Sequence, residues 1–182
     1  MTSKPCCKTS VGVLVWSRDR RELLMIERGT LPAGIAPVAG HALDEHTDYE
    51  AAARAEVAEE VGLTVTGLTE LEAGGFHPGR CRRAGSSGHT WKLFEATATG
   101  HVDASAREVA AVGWWDLGEL QYLAERTADH AAGMLTATEF AARPGLEPVW
   151  CHWMWELGHV DLSGEDLAAI ERLAATPPAL HS

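Results

Sequence analysis

The sequence predicts an α+β fold in which a mixed β-sheet carries an acidic helix on one side and a second helix on the other. Three observations predict it. Short β-branched segments recur early in the chain, a helix with its own start and stop residues interrupts them, and helical patterns take over towards the C-terminus. No repeat or long linker breaks this order. Residues 1–182 are therefore expected to form one domain, with a core at about 10–127 and a C-terminal helical extension at about 128–182.

Residues 13–17 are aliphatic and β-branched, Asp19-Arg20 makes a turn, and residues 22–27 return as a second strand. A Pro/Gly loop at 29–34 precedes a small-residue strand and turn at 36–46. Thr47-Asp48-Tyr49-Glu50 reads as a capping box with Thr47 as N-cap. Residues 51–61 are strong helix formers, and Gly62 is the stop. Residues 63–76, 90–99 and 108–115 read as strands, while 117–126, 136–143 and 164–176 read as helices.

The chemistry concentrates in the first helix. Glu56, Glu59 and Glu60 stand at i, i+3 and i+4, which puts three carboxylates on one face. Like charges gathered in this way repel unless a cation sits between them. Hard cations such as Mg2+ take oxygen ligands and bridge carboxylates to substrate phosphates. A solvated acidic helix end is the other reading of the same three residues.

With its flanks, this segment resembles the box of the Nudix hydrolase superfamily, G-x5-E-x7-R-E-U-x-E-E-x-G-U with U a bulky aliphatic. Glu56, Val57, Glu59, Glu60, Gly62 and Leu63 match its final positions in register. His41 stands at the first glycine, directly after Gly40; Thr47 replaces the first glutamate; Ala55 replaces the arginine. Arg54 is one residue away, but one helical step turns a side chain by about 100°, so it does not substitute. The departures leave the metal ligands in place and bear on the ion pair that normally steadies them.

The resemblance spans about residues 10–127 and implies a Nudix-like α/β/α sandwich with a mixed sheet and extra C-terminal helices. It implies Mg2+, or Mn2+, held by Glu56, Glu59 and Glu60, with Glu59 or Glu60 in the catalytic role and Gly40 beside the substrate. It implies hydrolysis of a diphosphate linkage in a nucleoside diphosphate-linked or related small molecule. Glu108 is a further candidate base or ligand of the kind found outside the box, with Glu70, Glu72 and Glu95 also available. Two alternatives stay open: a Nudix domain that binds a nucleotide or sugar nucleotide without turnover, and an enzyme like isopentenyl-diphosphate isomerase. Ala39 occupies the place of that isomerase's catalytic cysteine.

Outside the box, residues 74–89 read as a long basic loop in an acidic protein. Arginine forks suit phosphate oxygens, so Arg80, Arg82 and Arg83 are candidate substrate-binding residues, with a solvated hairpin loop as the other reading of the same segment. The tryptophans Trp150, Trp153 and Trp155 read as core or as a homodimer contact in preference to a face for stacking a nucleobase, and Trp114-Trp115 as core. Adjacent Cys6-Cys7 lacks the C-x2-C spacing of a zinc site, and Cys6, Cys7, Cys81 and Cys151 read as reduced thiols; His77 and His89 flank Cys81 and His152 follows Cys151, which leaves a composite site as the other reading.

A net charge of −11 argues against nucleic-acid polymers and anionic membranes as partners. No apolar run approaches the ~20 residues of a membrane span, and no secretory signal precedes the first strand, so cytoplasmic residence is expected.

Overall fold

The computed structural model describes residues 5–29, 34–79, 81, 83, 85–106 and 109–175. Among the described residues, seven strands fall into two sheets. The first has the order β4-β1-β6-β5, formed by β1 (Thr9–Val15), β4 (Val38–His41), β5 (Thr64–Pro78) and β6 (Gly88–Thr99). Within it β1 pairs antiparallel with β4 and parallel with β6, so the sheet is mixed. The second has the order β3-β2-β7, from β2 (Glu22–Arg28), β3 (Ile35–Ala36) and β7 (Val109–Asp116), antiparallel throughout.

Strands β1 and β2 are buried on both faces, and the alternation along them sorts two cores. Val11, Val13, Val15, Leu24 and Ile26 pack with Ala52, Ala53, Val57 and Val61 of helix α1 (Tyr49–Val61). Leu14, Trp16, Leu23 and Met25 point the other way, towards α2 (Leu117–Ala131), α4 (Pro148–Glu156) and α5 (Gly164–Ala175). That is the α/β/α sandwich expected, with α3 (Ala137–Ala142) beside α2.

Helix α4 lies in a segment where the sequence pattern shows only a run of aromatics. The sequence pattern gives no helix there, but the core reading of its tryptophans agrees with the structure for Trp150 and Trp153, which are among the most buried of the described side chains. The Trp150 ring lies over the backbone of Gly12 in β1, where any Cβ would collide with it. These two rings therefore serve the core and leave only Trp155, 43% exposed, at the surface. Trp114, read as core, is 39% exposed because it lies near the end of the edge strand β7.

The basic loop is shorter than expected. β5 runs to Pro78 and pairs with β6 from Gly88, which leaves residues 79–87 as the connection. No helix among the described residues is long and apolar enough to cross a membrane.

Candidate active site

Helix α1 carries the three glutamates, and both of its ends are fixed locally. Asp48, not Thr47, is the N-cap: its backbone is extended, and its carboxylate accepts the Ala51 N–H at 2.8 Å. Thr47 sits one residue too early and donates its hydroxyl to Asp48 at 3.1 Å. The Ala51 N–H and the Thr47 hydroxyl hold the exposed Asp48 carboxyl below its ordinary range. At the other end Gly62 closes the helix as expected, with φ 71° and its N–H on the Ala58 carbonyl at 3.1 Å.

Between these ends the carboxylates take three environments. Glu60 is buried, 5% exposed, and its Oε2 accepts the N–H of Ala39 at 3.3 Å. Glu56 is half-buried, and its carboxylate lies against the Cα of Gly40. Glu59 is exposed. The i, i+4 pair thus packs on the backbone of β4, with Glu59 at the solvent edge. Gly40 meets the steric demand that the sequence pattern places at His41, because a side chain there would displace Glu56.

Nothing among the described contacts of Arg54 replaces the missing box arginine. Its Nη1 donates to the Val65 carbonyl at 3.2 Å, at the start of β5. Arg83 forms an ion pair with Asp44, in the turn between β4 and α1. Asp44 raises the already high pKa of that guanidinium. Their separation of 39 residues left no trace in the sequence pattern. Arg80, Arg82 and Glu108 lie outside the described residues. The Ser105 N–H binds the Glu60 carbonyl at 2.9 Å, so the chain shortly before position 108 does run beside the box helix. Of the other acids considered, Glu70 is paired with Lys92 at 2.6 Å and Glu95 with Arg20 at 2.7 Å.

The cysteines separate. Cys151 is buried in α4, and burial pushes its thiol up to about 12, which makes it inert. His77 packs edge-on against His152, 4.8 Å between ring centroids, and does not meet Cys81. Cys6, His41, Cys81 and His89 come together instead.

A helix bearing clustered carboxylates against a strand backbone, inside an α/β/α sandwich, presents an all-oxygen donor set of the kind that hard cations take. The NUDIX domain profile matches residues 8–137, and the chain belongs to the Nudix family. With the family comes the class of activity, hydrolysis of pyrophosphate-linked compounds, and a general use of divalent metal ions.

Among solved structures, the Escherichia coli dihydroneopterin triphosphate pyrophosphohydrolase is similar at 20% identity and TM-score 0.52, over 93% of this chain and 97% of that one. A Nudix hydrolase from Nitrosomonas europaea is similar at 14% identity and TM-score 0.53, over 86% and 91%. The Nudix domain of Shewanella oneidensis NrtR, solved with ADP-ribose, is similar at 14% identity and TM-score 0.52, over 65% and 77%. These likenesses show the fold. No curated protein matches the chain in sequence.

Proposed function

We propose that this chain is a Mg2+-dependent pyrophosphohydrolase that cleaves the diphosphate linkage of a nucleoside diphosphate-linked or related small molecule. One observation carries the reading: Glu56 and Glu60 are packed side by side on the backbone of Ala39 and Gly40, with Glu59 at their open edge. The donor set is all carboxylate, which suits a hard divalent ion, and Mn2+ fits the same oxygens. Position 40 has no side chain to compete for that space. The residues present therefore fit the metal.

Glu56, Glu59 and Glu60 would hold the Mg2+, which would supply charge neutralisation for the diphosphate during an in-line displacement at phosphorus. The protein groups do the rest. Glu59, the exposed member, takes the proton of the attacking water as oxygen bonds to phosphorus, with Glu60 as the alternative base. The bridging P–O bond breaks, and the departing phosphate keeps its electron pair. Gly40 lets Glu56 seat on the β4 backbone and is assigned a place beside the substrate. Arg80, Arg82 and Arg83 are assigned to the distal phosphates, and Glu108 to an auxiliary base or ligand role.

The rest of the reading is consistent with this. Residues 1–182 act as one Nudix-like domain, since α2, α4 and α5 share a core with β1 and β2. Free cysteines at 6, 7, 81 and 151 fit the reducing cytoplasm. Of the aromatic cluster, Trp155 alone is left for a homodimer contact.

A second reading, ligand binding without turnover, is favoured by the absence of the box arginine at Ala55 and by the ADP-ribose complex of the NrtR domain. A panel of nucleotide sugars, dinucleoside polyphosphates and nucleoside or pterin triphosphates with Mg2+ or Mn2+, scored by products, separates the two. Phosphate-containing products abolished by EDTA support the hydrolase; saturable binding with no product supports the sensor.

A further inference from the structure

The geometry points to a structural zinc site formed by Cys6, His41, Cys81 and His89 on the sheet face opposite α1. The four ligands come from separate places: the segment before β1, the end of β4, the β5–β6 connection and the start of β6. One donor atom from each lies within 4.8 Å of all the others. Cys6 Sγ is 3.6 Å from His41 Nε2 and 3.0 Å from His89 Nε2, and Cys81 Sγ is 3.4 Å from His41 Nε2. Zn–S bonds of about 2.3 Å and Zn–N bonds of about 2.0–2.1 Å give a tetrahedron with S···N edges of about 3.6 Å. Two of the three contacts match that edge to within about 0.2 Å, and the third is shorter.

The surroundings suit two thiolates. Each sulfur accepts the backbone N–H two residues on, Lys8 to Cys6 and Arg83 to Cys81, both at 3.3 Å. Lys8 takes up a left-handed conformation, φ 62°, where a residue with a Cβ is uncommon. Ser10 Oγ lies 2.8 Å from His89 Nδ1, which orients the ring so that Nε2 faces the sulfurs. Four protein donors leave no open position, so the site is structural. Sulfur and imidazole donors favour zinc, whereas the carboxylates of α1 favour Mg2+, so the two sites are chemically distinct.

The site also explains His41. Successive strand residues face opposite ways. Gly40 therefore meets Glu56 on one face of β4 while His41 stands on the other, beside Ser10 across from it in β1. Zinc there would lock β4 under the carboxylates. It would also close the connection between Cys81 and His89, in which Arg83 meets Asp44.

The test is metal content of the full-length protein, expressed with zinc and purified without a histidine tag or chelator. About one zinc per chain is expected, with release of two thiol protons on binding, and at least a tenfold loss in Cys6→Ser and in Cys81→Ser. The Co2+ form should show thiolate charge-transfer absorption. His89→Cys, which offers a third sulfur, should keep the metal and strengthen that band, a response that misfolding does not produce. His152→Ala and Glu56→Gln should keep full zinc content. The proposal is overturned if the native protein holds no more zinc than Cys6→Ser, or if zinc survives both cysteine substitutions. It is equally overturned if zinc leaves with His152→Ala, which would place it at His77, His152 and Glu171.

Discussion

The Cα of Gly40 lies against the carboxylate of Glu56, with no room between them for a methyl group. One residue earlier the Ala39 N–H holds the buried Glu60. The backbone of β4 is thus the floor on which the carboxylates of α1 are arranged, and their spacing depends on it.

Gly40→Ala should consequently damage activity more than stability. The added methyl displaces Glu56, and a misplacement of about 1 Å costs on the order of 10²-fold in rate. Steady-state kinetics beside a melting curve checks this; a near-native kcat would show that the position of Glu56 is not critical.

The Arg83–Asp44 pair distinguishes positioning from substrate contact. If Arg83 acts on the diphosphate, Arg83→Ala raises KM and Asp44→Ala does so far less. If it serves to tie the connection to the turn before α1, both substitutions act alike, with a coupling of about 0.5–3 kcal/mol in a double-mutant cycle of stability. The assignment to substrate predicts the first pattern in KM.

Much of this was legible in the sequence. The 3.6-residue spacing of Glu56 and Glu60, the Gly62 stop and the β-branched segments placed the helix and most of the strands, because these are local effects. Asp48 displaced Thr47 as cap because either side chain can cap, and the extended backbone at Asp48 decided the matter. Helix α4 was hidden for a different reason. Trp150, Cys151, Trp153 and Met154 share its buried face, but Val149 and Trp155 off that face are apolar too, so the hydropathy pattern shows no clear amphipathic stripe. The Cys6, His41, Cys81 and His89 cluster has no ligand-spacing motif either, since its members meet only through the pairing of β1 with β4 and β6.

Gly12 and Trp150 should behave as a packed pair. Gly12→Ala forces the ring aside and should cost about 1–3 kcal/mol, while Trp150→Ala opens a cavity worth about 3–5 kcal/mol. Chemical denaturation measures both, and a neutral Gly12→Ala would contradict the packing.

Glu147 is buried at the start of α4, 3.6 Å from Arg28 of β2. Burial raises its pKa and Arg28 only partly offsets this. A carboxyl raised in the fold binds its proton more tightly there than in the unfolded chain. It therefore favours the fold below the ordinary value of 4.5, and that contribution is lost as pH rises through the folded value. Glu147→Gln should gain stability relative to native as pH increases from about 4.5 to 7.5. Denaturant midpoints across that range check the sign; a relative loss would mean that the ion pair outweighs desolvation.

The most direct test of the central claim is Mg2+-dependent product release from the diphosphate panel by native protein and Glu60→Gln. The amide keeps an oxygen for the Ala39 N–H, so the fold should survive with an unchanged circular dichroism spectrum. Native protein should turn over at least one diphosphate with Mg2+ and none with EDTA, and Glu60→Gln should lose on the order of 10²–10³-fold in kcat. Equal turnover by the two proteins, or turnover that survives EDTA, would contradict the account.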